Sequence, residues 1–131
     1  MPFRWPVRVY YEDTDAGGVV YHTGYIRYFE RARTEWLRAL GYSQTQLAQD
    51  EGVLFTVVDL QIRFRKAARL DDEVAVVSTA STAGGASMRF EQAVVSAAGE
   101  VLAEGQVRVA CVDAHTFRAR RLPAQLLERM G

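Results

Sequence analysis

The stretch Thr23 to Leu40, TGYIRYFERARTEWLRAL, decides the architecture. Apolar side chains recur at Tyr25, Phe29, Ala32, Trp36 and Leu40, with Ile26 and Leu37 on the flank. That is the 3.6-residue period of a helix with one buried stripe. The other side carries Arg27, Glu30, Arg31, Arg33, Glu35 and Arg38, among which Arg31 with Glu35 and Glu30 with Arg33 stand at helix-supporting spacings. Gly41 supplies a stop, and Ser43 is placed to cap a second, shorter helix running to about Asp50 and ended by Gly52.

Beyond Gly52 the period changes. Leu60-Gln61-Ile62-Arg63-Phe64-Arg65 alternates strictly between apolar and polar, the mark of a strand with one buried face. Three further strand-like runs follow, Glu73 to Ala80, Ser87 to Ser96 and Val101 to Asp113. Their separators, Ala83-Gly84-Gly85 and Ala97-Ala98-Gly99-Glu100, are short and rich in turn formers, so neighbouring strands run antiparallel. An opening strand is expected from Val7 to about Glu12, and a helical tail after Pro123. A long helix whose stripe must be covered, followed by a four-strand meander, predicts an α+β domain. Its expected form is the hot-dog shape, a curved antiparallel five-stranded sheet wrapped around one long central helix. No linker, charge block or repeat interrupts the chain, so residues 1–131 read as one domain.

Composition narrows the function classes. The chain has 131 residues, 49% hydrophobic and 24% charged, enough for a two-layer globular core. Sixteen basic and sixteen acidic side chains cancel, which argues against a nucleic-acid partner or an anionic membrane recognised by bulk charge. Neutrality also removes the repulsion that keeps copies apart. Fifteen of the basic residues are arginine and only Lys66 is lysine, a bias given no functional weight. One cysteine, Cys111, can make neither an internal bridge nor a cysteine zinc cage. No apolar run approaches the roughly 20 residues of a membrane span, and MPFRWPVRVY lacks the core of a secretory signal. The expected location is the cytoplasm.

Chemistry is concentrated in Tyr11-Glu12-Asp13-Thr14-Asp15-Ala16-Gly17-Gly18-Val19-Val20-Tyr21-His22, the connection that leads into the long helix. The first turn of a helix has unpaired N–H groups and partial positive charge, so it can hold an oxygen that gains negative charge during acyl transfer. Asp15, carried by the same loop, can attack a carbonyl or activate a water, while Gly17 and Gly18 let the backbone turn sharply beside a substrate. Read without any resemblance, turn and cap hydrogen bonding is the commoner role of Asp13 and Asp15. Asp13-x-Asp15 has only Glu12 as a further acidic neighbour, too few oxygen ligands for a hard metal, so none is expected. His22 can act as a base, polarise an oxygen or be structural; His115 belongs to no motif, and no Gly-x-Ser-x-Gly elbow exists.

The run YYEDTDAGGVVYH at 10–22, continued by Tyr25 and by FERARTE at 29–35, resembles the opening of the hot-dog acyl-CoA thioesterases related to 4-hydroxybenzoyl-CoA thioesterase. Within them it is most similar to the YbgC-like branch associated with the Tol-Pal system. The resemblance extends along essentially the whole chain and includes RKAARLDD at 65–72, where Ala67 stands in place of the proline common in that family. It implies that Asp15 is the catalytic aspartate, as nucleophile or general base, and Asp13 its support. It also implies that the backbone N–H of His22 is the donor to the thioester oxygen and that Tyr21, His22 and Tyr25 line the acyl pocket.

The implied substrate is a small or medium acyl-CoA, hydrolysed without metal or redox cofactor. Its phosphates would be held by Arg65, Lys66 and Arg69 with Arg63, or by Arg118, Arg120 and Arg121; either set also reads as solvated surface. The implied assembly is a homo-oligomer: two subunits joined edge to edge, with Phe55, Thr56 and Val57, at the head of the second strand, of the opposite subunit as pocket wall, and a homotetramer of two such dimers. Two other functions stand beside this one. One is an enoyl-CoA hydratase or dehydratase using His22; the other is a non-catalytic scaffold that binds acyl thioesters and contacts acyl carrier protein or envelope machinery.

Overall fold

The computed structural model describes residues 2–82 and 85–130, apart from the side chain of Leu127. The expected turn residues Ala83 and Gly84 lie outside the described residues. Five strands are found: β1 (Phe3–Arg8), β2 (Val53–Phe64), β3 (Glu73–Thr82), β4 (Ser87–Ser96) and β5 (Val101–Asp113). They form one sheet in the order β1-β3-β4-β5-β2, antiparallel at every joint. Three helices accompany them: α1 (His22–Ala39), the single turn α2 (Gln44–Gln46) and α3 (Ala124–Met130). This is the expected α+β class.

The helix α1 forms where the period predicts it. Tyr25, Phe29, Ala32 and Trp36 are buried, and so are Tyr28 and Leu37, which widen the stripe. All but Leu37 share one core with Val74 and Val76 of β3, Phe90 and Val94 of β4, and Val107 and Val109 of β5. Each such side chain contributes roughly 1.5–3 kcal/mol when fully buried, which is why the stripe outweighs local preference. Phe3 of β1 stacks on Trp36 with ring centres 5.6 Å apart. Gly41 takes φ +93°, and the Tyr42 N–H returns to the Leu37 carbonyl, closing the helix as the glycine predicts. Ser43 caps as expected, its hydroxyl accepting from the Gln46 N–H at 3.1 Å. The expected second helix is one α-turn followed by a π-turn, Leu47–Glu51, that stops at Gly52.

Four expectations need correction. The opening strand is Phe3–Arg8, not Val7 to Glu12. Pro6 argues against a strand in general, but β1 is an edge strand, where a missing N–H is tolerated. Second, β2 starts at Val53, two residues before the expected head at Phe55, and the alternation of residues 60–65 does not run through it, because an irregularity between Val57 and Asp59 interrupts the register. Third, Glu30 and Arg33 make no direct ion pair, although the Glu30 charge still acts on the guanidinium. Arg33 turns inward and donates to Gln92 Oε1 at 2.9 Å, while Glu30 accepts from the Thr34 hydroxyl at 3.1 Å. Fourth, the ion pair on α1 among the described residues is Arg38–Glu35 at 2.7 Å, in place of Arg31 with Glu35.

Candidate active site

After β1 the chain makes a 3-10 turn, Tyr11–Asp13, and Asp13 is buried beneath it. Its Oδ2 accepts from the Tyr10 N–H at 2.9 Å, and its carbonyl accepts from the Tyr21 N–H at 3.1 Å. Residues 14–20 then fold back on themselves: Thr14 pairs with Val20, and the Asp15 N–H donates to the Val19 carbonyl at 2.9 Å. Gly18, at φ +76°, makes the reversal that other residues adopt with difficulty. The small loop is tied to the segment between β2 and β3 by the Val20 N–H to Ala68 carbonyl bond, 2.9 Å, and by the pairing of Val19 with Arg69.

Asp15 sits exposed at the tip of this loop. Its Oδ1 accepts from the Gly17 N–H at 2.8 Å, which fixes the carboxylate's direction and leaves Oδ2 without a hydrogen bond from the described residues. Seven residues on, α1 begins at His22. Tyr21, its N-cap, places no side-chain acceptor on the first turn, and that turn holds no acidic residue. The amide end of the helix is therefore uncapped by the chain's own side chains, and its donors and partial positive charge are offered to the space in front of it.

That space is a cleft of about 300 Å³. Asp15, Val19, Val20, Tyr21, His22 and Tyr25 form one side, and Phe64, Arg65, Lys66 and Ala67 the other. Phe64 packs its ring 4.6 Å from that of His22 and 5.6 Å from that of Tyr25, so an aromatic wall faces the loop. Tyr25 is held rigidly, its hydroxyl accepting from the buried Ala68 N–H at 3.0 Å.

Of the residues singled out in the sequence, Asp15, Tyr21, His22, Tyr25, Arg65 and Lys66 thus meet in one cleft. Arg65 is paired with Glu104 at 2.7 Å, which holds the Glu104 carboxyl low, and Lys66 is paired with Glu100. These are exposed pairs, cheap to exchange for an incoming phosphate. Arg69 is not part of the lining; its backbone N–H donates to Asp72 Oδ2. Arg120 reaches the Glu51 and Gly52 carbonyls, a tie between strand end and tail.

Phe55 and Val57 lie elsewhere in the same chain. With Arg33 and Leu37 of α1 and Leu126 and Met130 of α3 they line a second, mostly apolar cavity of about 170 Å³. Thr56, between them in the strand, points to the other face of the sheet. Phe64 is the site residue the sequence reading passed over. Its signal was present, because it shares a strand face with Leu60 and Ile62. Among the described residues no group of three or more metal-ligating side chains occurs.

Comparison with known proteins gives this geometry a setting. The chain is 46% identical over 125 residues to the acyl-CoA thioester hydrolase YbgC of Escherichia coli O157:H7, covering 95% of this chain and 92% of that one. It is 44% identical over 124 residues to the acyl-CoA thioesterase YbgC of Haemophilus influenzae, covering 95% and 90%. Among solved structures, a probable thioesterase from Bartonella henselae superposes with a TM-score of 0.88 at 34% identity, covering 94% of this chain and all of that one. A 1,4-dihydroxy-2-naphthoyl-CoA thioesterase from Synechocystis superposes with a TM-score of 0.93, covering 99% and 96%; at 22% identity it shows the shared fold. The sequence model of the thioesterase-like superfamily matches residues 9–130, from the strand end before the Asp15 loop through the last helix, and the chain belongs to that family.

Proposed function

We propose that the protein is an acyl-CoA thioester hydrolase, acting as a single hot-dog domain on small or medium acyl groups with Asp15 as its reactive carboxylate. The observation that carries the reading is the shared cleft: the free oxygen of Asp15 and the uncapped amide end of α1 face the same space. A thioester carbonyl with its oxygen at the His22 N–H is polarised, and the negative charge that develops there meets donors that need no reorganisation. Asp15 then attacks the carbonyl carbon, expelling the CoA thiolate and leaving a mixed anhydride that water hydrolyses. Alternatively it takes a proton from a water that attacks directly. Both routes yield the free acid and CoA. Sulfur leaves readily, so no metal is required by the chemistry.

Tyr21, His22, Tyr25 and Phe64 are placed to hold the acyl group next to the carbonyl, and Arg65 and Lys66 to receive phosphate at the cleft's outer side. In the proposed dimer β2, an edge strand, pairs with its copy and brings Phe55 and Val57 to the neighbour's cleft; two dimers form the homotetramer. No helix among the described residues is long and apolar enough to cross a membrane, in keeping with the proposed cytoplasmic setting. The test is the Asp15→Asn variant on a panel of short, long and aromatic acyl-CoAs with free-thiol detection. Asn keeps the acceptor for the Gly17 N–H and loses the charge. A loss of about 10²-fold or more in kcat is expected, and undiminished hydrolysis removes the assignment.

A further inference from the structure

Tyr28 lies on α1, one and a half turns into the helix, and is fully buried. Its hydroxyl is the one buried side-chain polar atom without a hydrogen-bond partner among the described residues. A buried hydroxyl left in that state is costly, so it calls for an explanation. The charged group beside it is the carboxylate of Asp13, itself buried. Burial first, then hydrogen bonding to the Asp13 carboxylate and its charge, push the Tyr28 hydroxyl well above the ordinary tyrosine range, so it is a donor at any working pH; the two groups lie near hydrogen-bonding range although no bond of ordinary geometry is formed. Arg31 is the basic group that acts on the hydroxyl in the opposite direction, and Tyr25 adds to the upward push.

Asp13 is the point through which the loop and the helix start are joined. Its Oδ2 holds the Tyr10 N–H, its carbonyl holds the Tyr21 N–H, and Asp15 follows two residues later. A displacement of Asp13 therefore moves both the reactive carboxylate and the residue before the His22 amide. Hydrogen bonds that matter in a reaction are often long or misaligned in a free enzyme and tighten when substrate is bound.

We propose that Tyr28 is a positioning residue: its hydroxyl closes onto the Asp13 carboxylate when the cleft is loaded, and this latch sets the spacing between Asp15 and the amide end of α1. The catalytic consequence rests on the thioesterase reading above; the latch itself does not. Tyr28 touches neither substrate nor reacting atoms.

The experiment compares wild type, Tyr28→Phe, Asp13→Asn and the double variant. Readouts are hydrolysis of the best acyl-CoA of the panel, thermal unfolding, and hydrogen exchange of the Tyr21 and His22 amides with and without free CoA. The expected result for Tyr28→Phe is a kcat about tenfold lower, the size of one net hydrogen bond, with KM little changed. Faster exchange at Tyr21 and His22 is expected with it, and the kcat effect should disappear in the Asp13→Asn background. Unchanged kcat and exchange with a raised Tm overturn the proposal, because the hydroxyl is then an orphan whose removal is a gain. Losses that simply multiply in the double variant overturn the route through Asp13. If the wild type hydrolyses no thioester, the functional reading fails separately, and amide exchange still decides whether the latch exists.

Discussion

Gly24 offers a test of how tightly the helix start is built. It is the third residue of α1, and a Cβ added there would stand 2.7 Å from Val20 Cγ1 and 3.6 Å from the Asp13 carbonyl oxygen. Carbon atoms in contact prefer about 3.5–4.0 Å, so Gly24→Ala creates an overlap of about 1 Å. Val20 has little freedom to yield. It is β-branched and buried, and its N–H is bound to the Ala68 carbonyl. Overpacking of this kind costs about 1–3 kcal/mol, and alanine returns up to about 1 kcal/mol through its better helix propensity. The net loss is about 1–2 kcal/mol, or a Tm lower by about 3–8 °C for a chain of this length. Relief by moving the helix start shifts the His22 amide relative to Asp15, and kcat/KM should fall about tenfold or more, since misplacement of 1 Å can cost about 10²-fold. Thermal unfolding by circular dichroism and thiol release from acyl-CoA measure the two effects. Val20→Ala removes the clashing methyl, so the double variant should be more stable than the sum of the single changes by about 1 kcal/mol. A Gly24→Ala protein as stable and active as wild type, or strict additivity with Val20→Ala, would refute the reasoning.

Three further outcomes are expected. In Gly105→Ala the new Cβ would lie 2.2 Å from the Gln61 carbonyl oxygen and 3.1 Å from Ile62 Cα, both backbone, so β2 must part from β5; a fall in Tm larger than for Gly24→Ala is expected, and equal stability refutes it. Tyr25→Phe removes the acceptor of the buried Ala68 N–H and should cost about 1–3 kcal/mol in urea unfolding; a neutral result would show that water replaces the hydroxyl. The Asp113 carboxyl is held below its ordinary value of 3.8 by the Thr116 and then the His115 backbone N–H groups. A depressed folded pKa means its contribution is present above 3.8 and lost as pH falls through the lower folded value, so Asp113→Asn should flatten the acid limb of the stability profile, and an unchanged limb counts against it.

The helix and the meander were legible because burial imposes a period on the chain. Tyr25, Phe29, Ala32 and Trp36 read as one stripe because each is drawn into the same core. Legibility failed where a tertiary circumstance excused a local rule. Pro6 is acceptable in β1 only because β1 is an edge, and the break at Val57–Asp59 interrupts the alternation that marks the later part of β2. In the site, Asp15 and His22 were legible from their place before the helix. Phe64 reaches them from 42 residues beyond His22, and nothing local announces that meeting. The burial of Tyr28 was within reach of the helical pattern, since it neighbours Phe29 and stands three positions after Tyr25, but its proximity to Asp13 follows only from how the loop folds under the helix.

The hairpin from Thr14 to Val20 divides the labour between short and long range. The Asp15 carboxylate proposed to react and the His22 amide proposed to face the thioester oxygen are seven residues apart and are set by bonds within and just flanking that segment, chiefly Asp15 to Val19 and Asp13 to Tyr21. The roof over them, Phe64 to Ala67, arrives from a different part of the chain and touches the segment mainly through Ala68 and Arg69. In the proposed function, the reacting pair is thus held by one stretch of sequence, while part of the acyl-holding wall, Phe64, comes from another. On the proposed roles, substitutions at Phe64 reshape one wall of the acyl site while Asp15 and the His22 amide keep their distance, so diversification of substrate need not pass through inactive ancestors.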